Sequence, residues 1–209
     1  MYRDVIRSGD MAKLIVVEGA DRHGKFTQTN MLNDALLDSK FPNPSPTSLV
    51  EVPTKGITHK LIYWMLRNGL AKRLPHVFQF VQFANKFAFQ LFTLPGLMKK
   101  NQYVILDRWA LSAIVYGTAT GVNKLFNAVL FSWLKEPDIT LIMDGQSFRR
   151  SNTTDDSYEK DSELQERVKA HYHKIGEEWS GYVLIDNTGT RDEVHMRIMN
   201  VLKKTSIVT

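Results

Sequence analysis

The chain has 209 residues, 43% of them hydrophobic and 23% charged, which suits one compact domain with a substantial core. It has no cysteine, which excludes disulfides and thiolate metal sites and fits a reducing, cytoplasmic environment. Its net charge of +5 comes without a dense Lys/Arg tract, which favours small polyanions such as nucleotides over polymeric nucleic acid. Residues 1–11 are expected to be an extension without a signal core, and no apolar run approaches the ~20 residues that span a membrane.

Five short segments rich in β-branched residues are predicted to be buried strands: 13–17, 49–52, 103–106, 139–143 and 182–185. The segments between them have helical patterning, and the polar runs 42–48 and 151–157 are predicted to be loops. Strands that alternate with helices imply an α/β fold, with a mainly parallel five-stranded sheet covered on both faces. We expect a single domain over residues 12–209.

Residues 19–25 match the G-x-x-x-x-G-K pattern of a phosphate-binding loop, and they lie between a predicted strand and a predicted helix. Glycines let successive backbone N–H groups point at phosphate oxygens, the helix N-terminus adds positive potential, and Lys25 can reach the β- and γ-phosphates. The alternative is a plain strand-to-helix turn. We predict that ATP contacts this loop and the first helical turn: Gly19, Ala20, Asp21, Arg22, His23, Gly24, Lys25, Phe26 and Thr27.

Phe26 interrupts the pattern, because this position usually carries a Ser or Thr whose hydroxyl binds the magnesium of the nucleotide. Thr27 lies about 100° further around the helix and is not expected to substitute for it. Backbone contacts to phosphate do not depend on the Phe26 side chain. We therefore expect nucleotide binding to survive, with Mg²⁺ held by phosphate oxygens, water and a carboxylate from elsewhere. A weakened or lost catalytic site is the alternative.

Asp21 and Arg22 add chemistry inside the loop. A carboxylate is repelled by triphosphate, so Asp21 is expected to face away from it, toward a group with a hydroxyl. Arg22 could neutralise charge on a transferring phosphoryl group. The segment EGADRHGKFTQ resembles the P-loop of thymidylate kinases, G-x-D-x-x-G-K-[ST]-T-Q, and its Asp-Arg pair resembles the subgroup that carries the catalytic arginine in this loop.

The resemblance implies a P-loop NTPase fold with a small lid, and an enzyme that moves the γ-phosphoryl group of ATP to a deoxynucleoside 5′-monophosphate. The first candidate for that reaction is conversion of dTMP to dTDP. Small nucleotides, Mg²⁺ and a second copy of the chain are the implied partners, and the apolar stretch 77–94 could supply one side of a homodimer. Catalytic roles are then expected for Asp21, Arg22, Lys25 and Arg108.

The segment DRWALSAIVY, residues 107–116, extends the resemblance. It follows a predicted strand, and a residue at the carboxyl end of a parallel strand faces the ligand crevice. The resemblance implies that Arg108 clamps the acceptor phosphate, that Asp107 lies near Mg²⁺, and that Asp21 takes the 3′-hydroxyl. Ser112 and Tyr116 share one helical face, and the family aromatic at the second position lies near C2′ of the sugar. An Asp107–Arg108 ion pair and a core tyrosine are the alternatives.

Further residues are candidates for binding the acceptor nucleotide. Lys55 would stand in for a phosphate-binding arginine, although a solvated lysine is the alternative. Residues 78–86 resemble the family helix L-L-F-x-A-N-R, which puts Lys86 at the arginine that reads the base and Gln82 at the stacking phenylalanine. Phe83 lies one residue from that position and is a further candidate to contact the base, with core packing as the alternative. These departures leave open a base other than thymine, or a modified pyrimidine.

Residues 147–160 resemble the lid that closes over the phosphates in this family. The resemblance implies that Arg149 covers the adenine or phosphates of ATP and that Tyr158 belongs to the acceptor site. Two rival functions stay open. Gln82 and Lys86 motivate a kinase of the same fold that acts on another deoxynucleotide or on a nucleoside, and Phe26 motivates a nucleotide-binding regulator without turnover.

Overall fold

The computed structural model describes residues 12–38, 45–148, 158, 161–178 and 181–208. The expected extension at residues 1–11 and the predicted loop at 151–157 lie outside these ranges. So does most of the expected lid, including Arg149, and within it residues 147, 148 and 158 are described.

A parallel sheet of five strands forms the centre of the described part of the chain. The strands are Lys13–Gly19 (β1), Thr47–Glu51 (β2), Tyr103–Asp107 (β3), Ile139–Asp144 (β4) and Tyr182–Asp186 (β5). Their order is β2-β3-β1-β4-β5, and each neighbouring pair is parallel. The predicted α/β class and the parallel sheet are therefore confirmed.

Strand β2 begins earlier than the sequence suggests. Residues 42–48 were expected to form a loop, but Thr47 and Ser48 pair with Tyr103 and Val104 of β3. Because β2 is an edge strand and only half-buried, it accommodates polar side chains that a central strand would not. That part of the loop prediction was wrong for this reason.

Helices connect the strands and cover both faces of the sheet. Their bounds are Lys25–Leu37 (α1), Ile57–Arg67 (α2), Leu70–Arg73 (α3), Pro75–Phe92 (α4), Leu94–Lys100 (α5), Ala110–Ala119 (α6), Lys124–Phe131 (α7), Ser162–Glu178 (α8) and Arg191–Lys204 (α9). Along β1, Ile15 and Val17 pack with side chains of α1 and α9, whereas Leu14 and Val16 pack with those of α4, α5 and α6. β1 is therefore buried on both faces, as the apolar run KLIVV predicts.

Within the described ranges, each helix is too short or too polar to cross a membrane. The carboxyl ends of all five strands meet at one edge of the sheet. There β1 leads into the loop of residues 19–25, β3 leads into the DRW segment, and β2 and β5 lead into further loops. This edge is where a doubly wound parallel sheet binds its ligands.

Candidate active site

A cavity of about 670 Å³ opens at this edge of the sheet. It is lined by the loop after β1, by the ends of β2 and β3, and by side chains from α2, α4, α6 and α9. Most of the predicted site residues line it: Asp21, Arg22, His23, Gly24, Lys25, Phe26, Thr27, Gln82, Lys86, Asp107, Arg108, Ser112, Tyr116 and Tyr158. The predicted donor loop and the predicted acceptor residues thus open into one space.

The loop after β1 has the geometry of a phosphate cradle. Gly19 has a φ of +138°, and a Cβ there would lie 2.7 Å from the carbonyl oxygen of Met143, so only glycine fits. Gly24 has a φ of 79° and precedes α1, whose first residue is Lys25. The Lys25 ammonium is buried and donates to the Ala20 carbonyl at 2.6 Å. Burial, with a nearby guanidinium, lowers the pKa of Lys25 to about 8, so the lysine lies beneath the loop ready to meet an anion.

Asp21 faces away from the loop and forms an ion pair with Arg108. Its second carboxylate oxygen accepts the Tyr116 hydroxyl at 2.7 Å and the Gln165 amide at 2.9 Å. Burial alone would raise the pKa of Asp21, but Arg108, Lys25 and these hydrogen bonds hold it below its ordinary value. The Asp21 carboxylate is thus directed at a guanidinium and a tyrosine hydroxyl, and the arginine of the DRW segment pairs across to this loop rather than with its neighbour in sequence.

Asp107 ends β3 and is 8% exposed. In the described part of the chain its Oδ1 is buried and makes no hydrogen bond, which leaves a carboxylate oxygen for a cation. Phe26 is 67% exposed and Thr27 is exposed, so neither side chain is packed away from the cavity. Among the described residues, no group of three or more His, Cys, Asp or Glu side chains is arranged to hold a metal ion. A divalent cation here would need phosphate oxygens and water as its other ligands.

The wall formed by α4 is polar at its centre. Lys86 is only 2% exposed, and within the described residues its ammonium donates to Gln82 alone, at 3.2 Å. Burial lowers the pKa of Lys86 to about 8. Gln79 is 1% exposed, lines the same cavity, and has a side-chain oxygen that finds no partner in the described ranges. The wall therefore offers both donors and an acceptor to a ligand.

Two predicted acceptor residues lie outside the cavity. Phe83 packs instead against Phe87, with ring centroids 5.2 Å apart, and against Phe131 at 6.0 Å. The expectation that Phe83 contacts the base was therefore wrong, because the helix turns its ring toward the core beside α7. Lys55 is exposed on the loop after β2 and does not line the cavity, which favours the solvated alternative.

Tyr158 lines the cavity and is 5% exposed. Its ring stacks on that of Tyr116, with centroids 5.8 Å apart and an interplanar angle of 7°. Its hydroxyl donates to the Ala71 carbonyl at 3.2 Å, so the aromatic face rather than the hydroxyl is presented to a ligand. Tyr116 also lies beneath the Arg108 guanidinium, at 5.6 Å.

Sequence reasoning missed several residues of the site. Gln165 contacts both Asp21 and the Tyr158 carbonyl, but a glutamine on an amphipathic helix carries no signal of this role. Asn187 is buried and donates to the His23 carbonyl at 3.1 Å, supporting the loop from the β5 side. Glu18 was the one detectable case, because a carboxylate that ends an apolar strand is unusual.

A family model described as thymidylate kinase matches residues 17–198. The chain belongs to the thymidylate kinase family. A probable thymidylate kinase of Methanococcus vannielii is 28% identical over 193 residues, covering 88% of this chain and 91% of that protein. One of Pyrococcus abyssi is 27% identical and covers 90% and 95%.

Among solved structures, the thymidylate kinase of Candida albicans matches with a TM-score of 0.77 and 25% identity, over 94% of this chain and 93% of that one. The family and these relatives indicate an enzyme, a nucleoside monophosphate kinase that phosphorylates dTMP to dTDP with ATP. The P-loop kinase fold predicted from the sequence is confirmed by the same matches. A regulator without turnover, the second rival, is not favoured by them.

Proposed function

We propose that the cavity binds ATP on the side of the loop after β1 and dTMP on the side of the DRW segment, and transfers the γ-phosphoryl group between them. An oxygen of the acceptor phosphate attacks the γ-phosphorus, and the bond to the bridging oxygen of ADP breaks. The observation that carries this proposal is that Lys25, Arg22 and Arg108 face one cavity from two different loops. Transfer then depends on positioning and on charge neutralisation more than on covalent chemistry.

On the donor side, the loop amides and the N-terminus of α1 bind the phosphates of ATP. Lys25 exchanges its contact with the Ala20 carbonyl for a phosphate oxygen, which returns the buried ammonium to a charged partner. Arg22 stabilises the negative charge that develops on the transferring group. Arg149, from the lid, covers ATP in this proposal.

On the acceptor side, Arg108 binds the 5′-phosphate with its planar donors. Asp21 accepts the 3′-hydroxyl, and its present hydrogen bond from the Tyr116 hydroxyl stands in for that contact. Ser112, Tyr116 and Tyr158 enclose the sugar, while Lys86 and Gln82 face the base. Within the described residues the Lys86 ammonium donates to Gln82 alone, which leaves two of its three donors for a carbonyl oxygen of the base.

The reaction uses Mg²⁺, which supplies charge neutralisation between the phosphates when ATP is bound. Asp107 fits the role of its protein ligand, because its buried Oδ1 has no partner in the described part of the chain. Phe26 cannot contribute the usual hydroxyl.

We predict that Phe26→Ser lowers the Mg²⁺ concentration that half-saturates the ATP complex by about tenfold, the effect of one added ligand worth ~1.4 kcal/mol. Calorimetric titration of the protein–ATP complex with Mg²⁺ measures this without turnover. Phe26→Ala is the matched control, since it removes the exposed ring without adding a hydroxyl. If serine and alanine give the same affinity, the position does not contact the cation.

The deciding experiment is incubation of the purified protein with ATP, Mg²⁺ and each deoxynucleoside monophosphate separately, followed by chromatographic separation of the products. Formation of dTDP is expected. Binding of ATP without a diphosphate product from any acceptor would contradict the proposal and would support a regulatory role instead.

A kinase for another deoxynucleotide is the second candidate, and the polar wall of Gln79, Gln82 and Lys86 favours it. The related Candida albicans enzyme is described as having broad substrate specificity. Comparison of kcat/KM for dTMP, dUMP, dCMP and a 5-hydroxymethyl pyrimidine nucleotide separates the candidates. A higher kcat/KM for another nucleotide would identify that nucleotide as the preferred substrate, and the proposed phosphoryl transfer would stay the same.

Lys86→Met is expected to raise the free energy of unfolding near pH 7 by up to about 3 kcal/mol, while weakening dTMP binding. The folded pKa of about 8 lies below the ordinary 10.5, so the buried ammonium is costly below pH 8. Between pH 8 and pH 10.5 the unfolded chain binds more protons at Lys86 than the folded protein does, so the stability of the natural protein rises with pH. Urea unfolding at about pH 7 and about pH 10.5 therefore should show a smaller advantage of methionine at the higher pH.

The exposed Lys60 of α2 provides the control substitution, Lys60→Met, which should change stability little at either pH. Lys25 titrates in the same range in both proteins, so the difference between them isolates Lys86. An advantage of methionine that is equal at both pH values would contradict the buried-charge explanation.

We propose that the protein is a homodimer that pairs through α4. The exposed side of this helix carries an apolar stripe at spacings of three and four residues: Val77, Phe80, Ala84, Ala88 and Leu91. The small alanines at its centre allow two copies of the helix to approach closely about a two-fold axis. The stripe continues onto α7 through the contact of Phe80 with Phe126, beside the 72% exposed Leu125.

Phe80→Glu is expected to convert the dimer into a monomer. In a two-fold symmetric interface the same surface of each copy meets the other, so the substitution brings two carboxylates together. Light scattering after size-exclusion chromatography measures the mass. Met196→Glu on α9 is the control, since Met196 is also exposed, at 57%, but lies on the opposite face of the sheet. A natural protein that elutes as a 24.0 kDa monomer would contradict the proposal.

We place the enzyme in the cytoplasm, where its nucleotide substrates occur.

A further inference from the structure

Glu18 is a fully buried carboxylate at the carboxyl end of β1, immediately before the phosphate-binding loop. Its Oε1 accepts the backbone N–H groups of Trp109 at 2.7 Å and Ser112 at 3.1 Å. Its Oε2 accepts the Tyr172 hydroxyl at 2.9 Å. Each of these contacts lies on the acceptor side of the cavity or on α8, and none is made to the loop that Glu18 precedes.

Through these two amide contacts, Glu18 supplies the hydrogen-bond acceptor at the N-terminus of α6. The cap residue of this helix is Trp109, whose own side chain forms no capping hydrogen bond. The first N–H groups of a helix have no partner within the helix and need one from elsewhere when they are buried. Glu18 supplies that partner from a different strand, and so couples the start of α6 to β1.

Arg108 lies between β3 and this cap in a left-handed conformation, with a φ of 72°. A residue other than glycine keeps such a conformation only when its surroundings enforce it. Here its own N–H donates to the Val17 carbonyl at 3.0 Å, and the N–H of the next residue donates to Glu18. Held on both sides, the backbone directs the guanidinium over Gly19 toward Asp21.

We propose that Glu18 is a positioning residue for the acceptor phosphate, which fixes the backbone on which Arg108 is presented to the cavity. The inference rests on the proposed function, in which Arg108 binds that phosphate. In this inference Glu18 acts through its hydrogen bonds to the backbone around Arg108, and it does not contact the substrate itself.

Three substitutions separate the effect of the hydrogen bonds that Glu18 accepts from the effect of its charge. Glu18→Gln keeps an oxygen that can accept both amides but removes the charge. Glu18→Asp keeps the charge but is one methylene too short to hold both amides, and Glu18→Ala removes both. The dissociation constants of dTMP and of a non-hydrolysable ATP analogue are measured separately by calorimetry, with the thermal midpoint of unfolding alongside.

We expect Glu18→Ala and Glu18→Asp to raise the dissociation constant of dTMP about tenfold, a typical effect of losing a hydrogen bond to a charged group. Glu18→Gln should stay close to the natural protein, and the analogue should bind all three normally. Asn187→Ala is the crossed control, because Asn187 supports the loop from the opposite side through the His23 carbonyl. It should weaken the analogue and leave dTMP unchanged.

Three results would overturn the proposal: normal dTMP binding by Glu18→Ala, a loss in Glu18→Gln as large as in Glu18→Ala, or equal losses for dTMP and the analogue. Arg108→Ala identifies which inference has failed. If it binds dTMP normally, Arg108 does not hold the phosphate and both inferences fall. If it loses dTMP while Glu18→Ala does not, only the role of Glu18 falls.

Discussion

Replacing Arg22 with alanine is expected to lower kcat for dTMP phosphorylation by about 10³-fold or more, the usual effect of removing an arginine that neutralises a transferring phosphoryl group. Arg22 lines the cavity, and its backbone is anchored because its carbonyl accepts the N–H of Phe148 at 2.8 Å. The loop amides and Lys25 carry ATP binding, so the dissociation constant of ATP should change much less. Steady-state kinetics and calorimetry of the two proteins measure the two quantities.

Arg67→Ala is the control for this experiment, since Arg67 is an exposed arginine in the last turn of α2 and does not line the cavity. It should leave kcat and ATP affinity unchanged. Parallel losses of kcat and ATP affinity in Arg22→Ala would mean that the arginine binds the ground state and has no selective role in the transfer step.

Arg108→Ala is expected to have the second large effect, a loss of about 3 kcal/mol in the free energy of unfolding together with loss of dTMP binding. The two side chains of the Arg108–Asp21 pair are only 21% and 16% exposed. Removing the guanidinium leaves the Asp21 carboxylate buried with its main cation missing. Urea unfolding near pH 7 measures the stability, and calorimetry measures dTMP binding.

The double variant Arg108→Ala, Asp21→Asn separates the two effects. Neutralising Asp21 should recover most of the lost stability, because no uncompensated carboxylate remains, while dTMP binding stays lost. The pKa of Asp21 is depressed in the folded protein, so the stability from this pair is present above the ordinary value of 3.8 and is lost as the pH falls below it. The gap between natural and Arg108→Ala proteins should therefore narrow in acid, and a gap that does not change with pH would contradict this account.

The sheet could be predicted because its strands are short apolar runs rich in β-branched residues. The loop after β1 could be predicted because its glycines let the backbone N–H groups turn toward a phosphate. The Phe83 prediction failed for a reason of helical phase. Gln82 and Phe83 differ by about 100° around α4, and the packing of α4 on α7 decides which of them faces the cavity. That packing is a tertiary property, which the local sequence does not contain.

The contacts between residues of the site could not be predicted from local sequence patterns either. Asp21 was expected to accept a hydroxyl, but its pairing with Arg108 joins residues far apart in the chain through the adjacency of β1 and β3. The contact of Glu18 with Trp109 depends on the same adjacency, and the contact of Gln165 with Asp21 depends on the position of α8 beside the loop after β1. Single residues could be nominated from the sequence, whereas the network between them required the fold.

The strand order also constrains how the chain can fold. β1 lies at the centre of the sheet, yet its residue Lys13 pairs with Tyr103 and its residue Ile15 pairs with Ile139. At about 5–20 residues per second of synthesis, several seconds pass before both partners of β1 exist. During that interval at least one edge of the apolar segment KLIVV is unpaired, and such segments associate with one another when exposed. The strand that carries the phosphate loop is thus also the one that waits longest for both of its neighbours during synthesis.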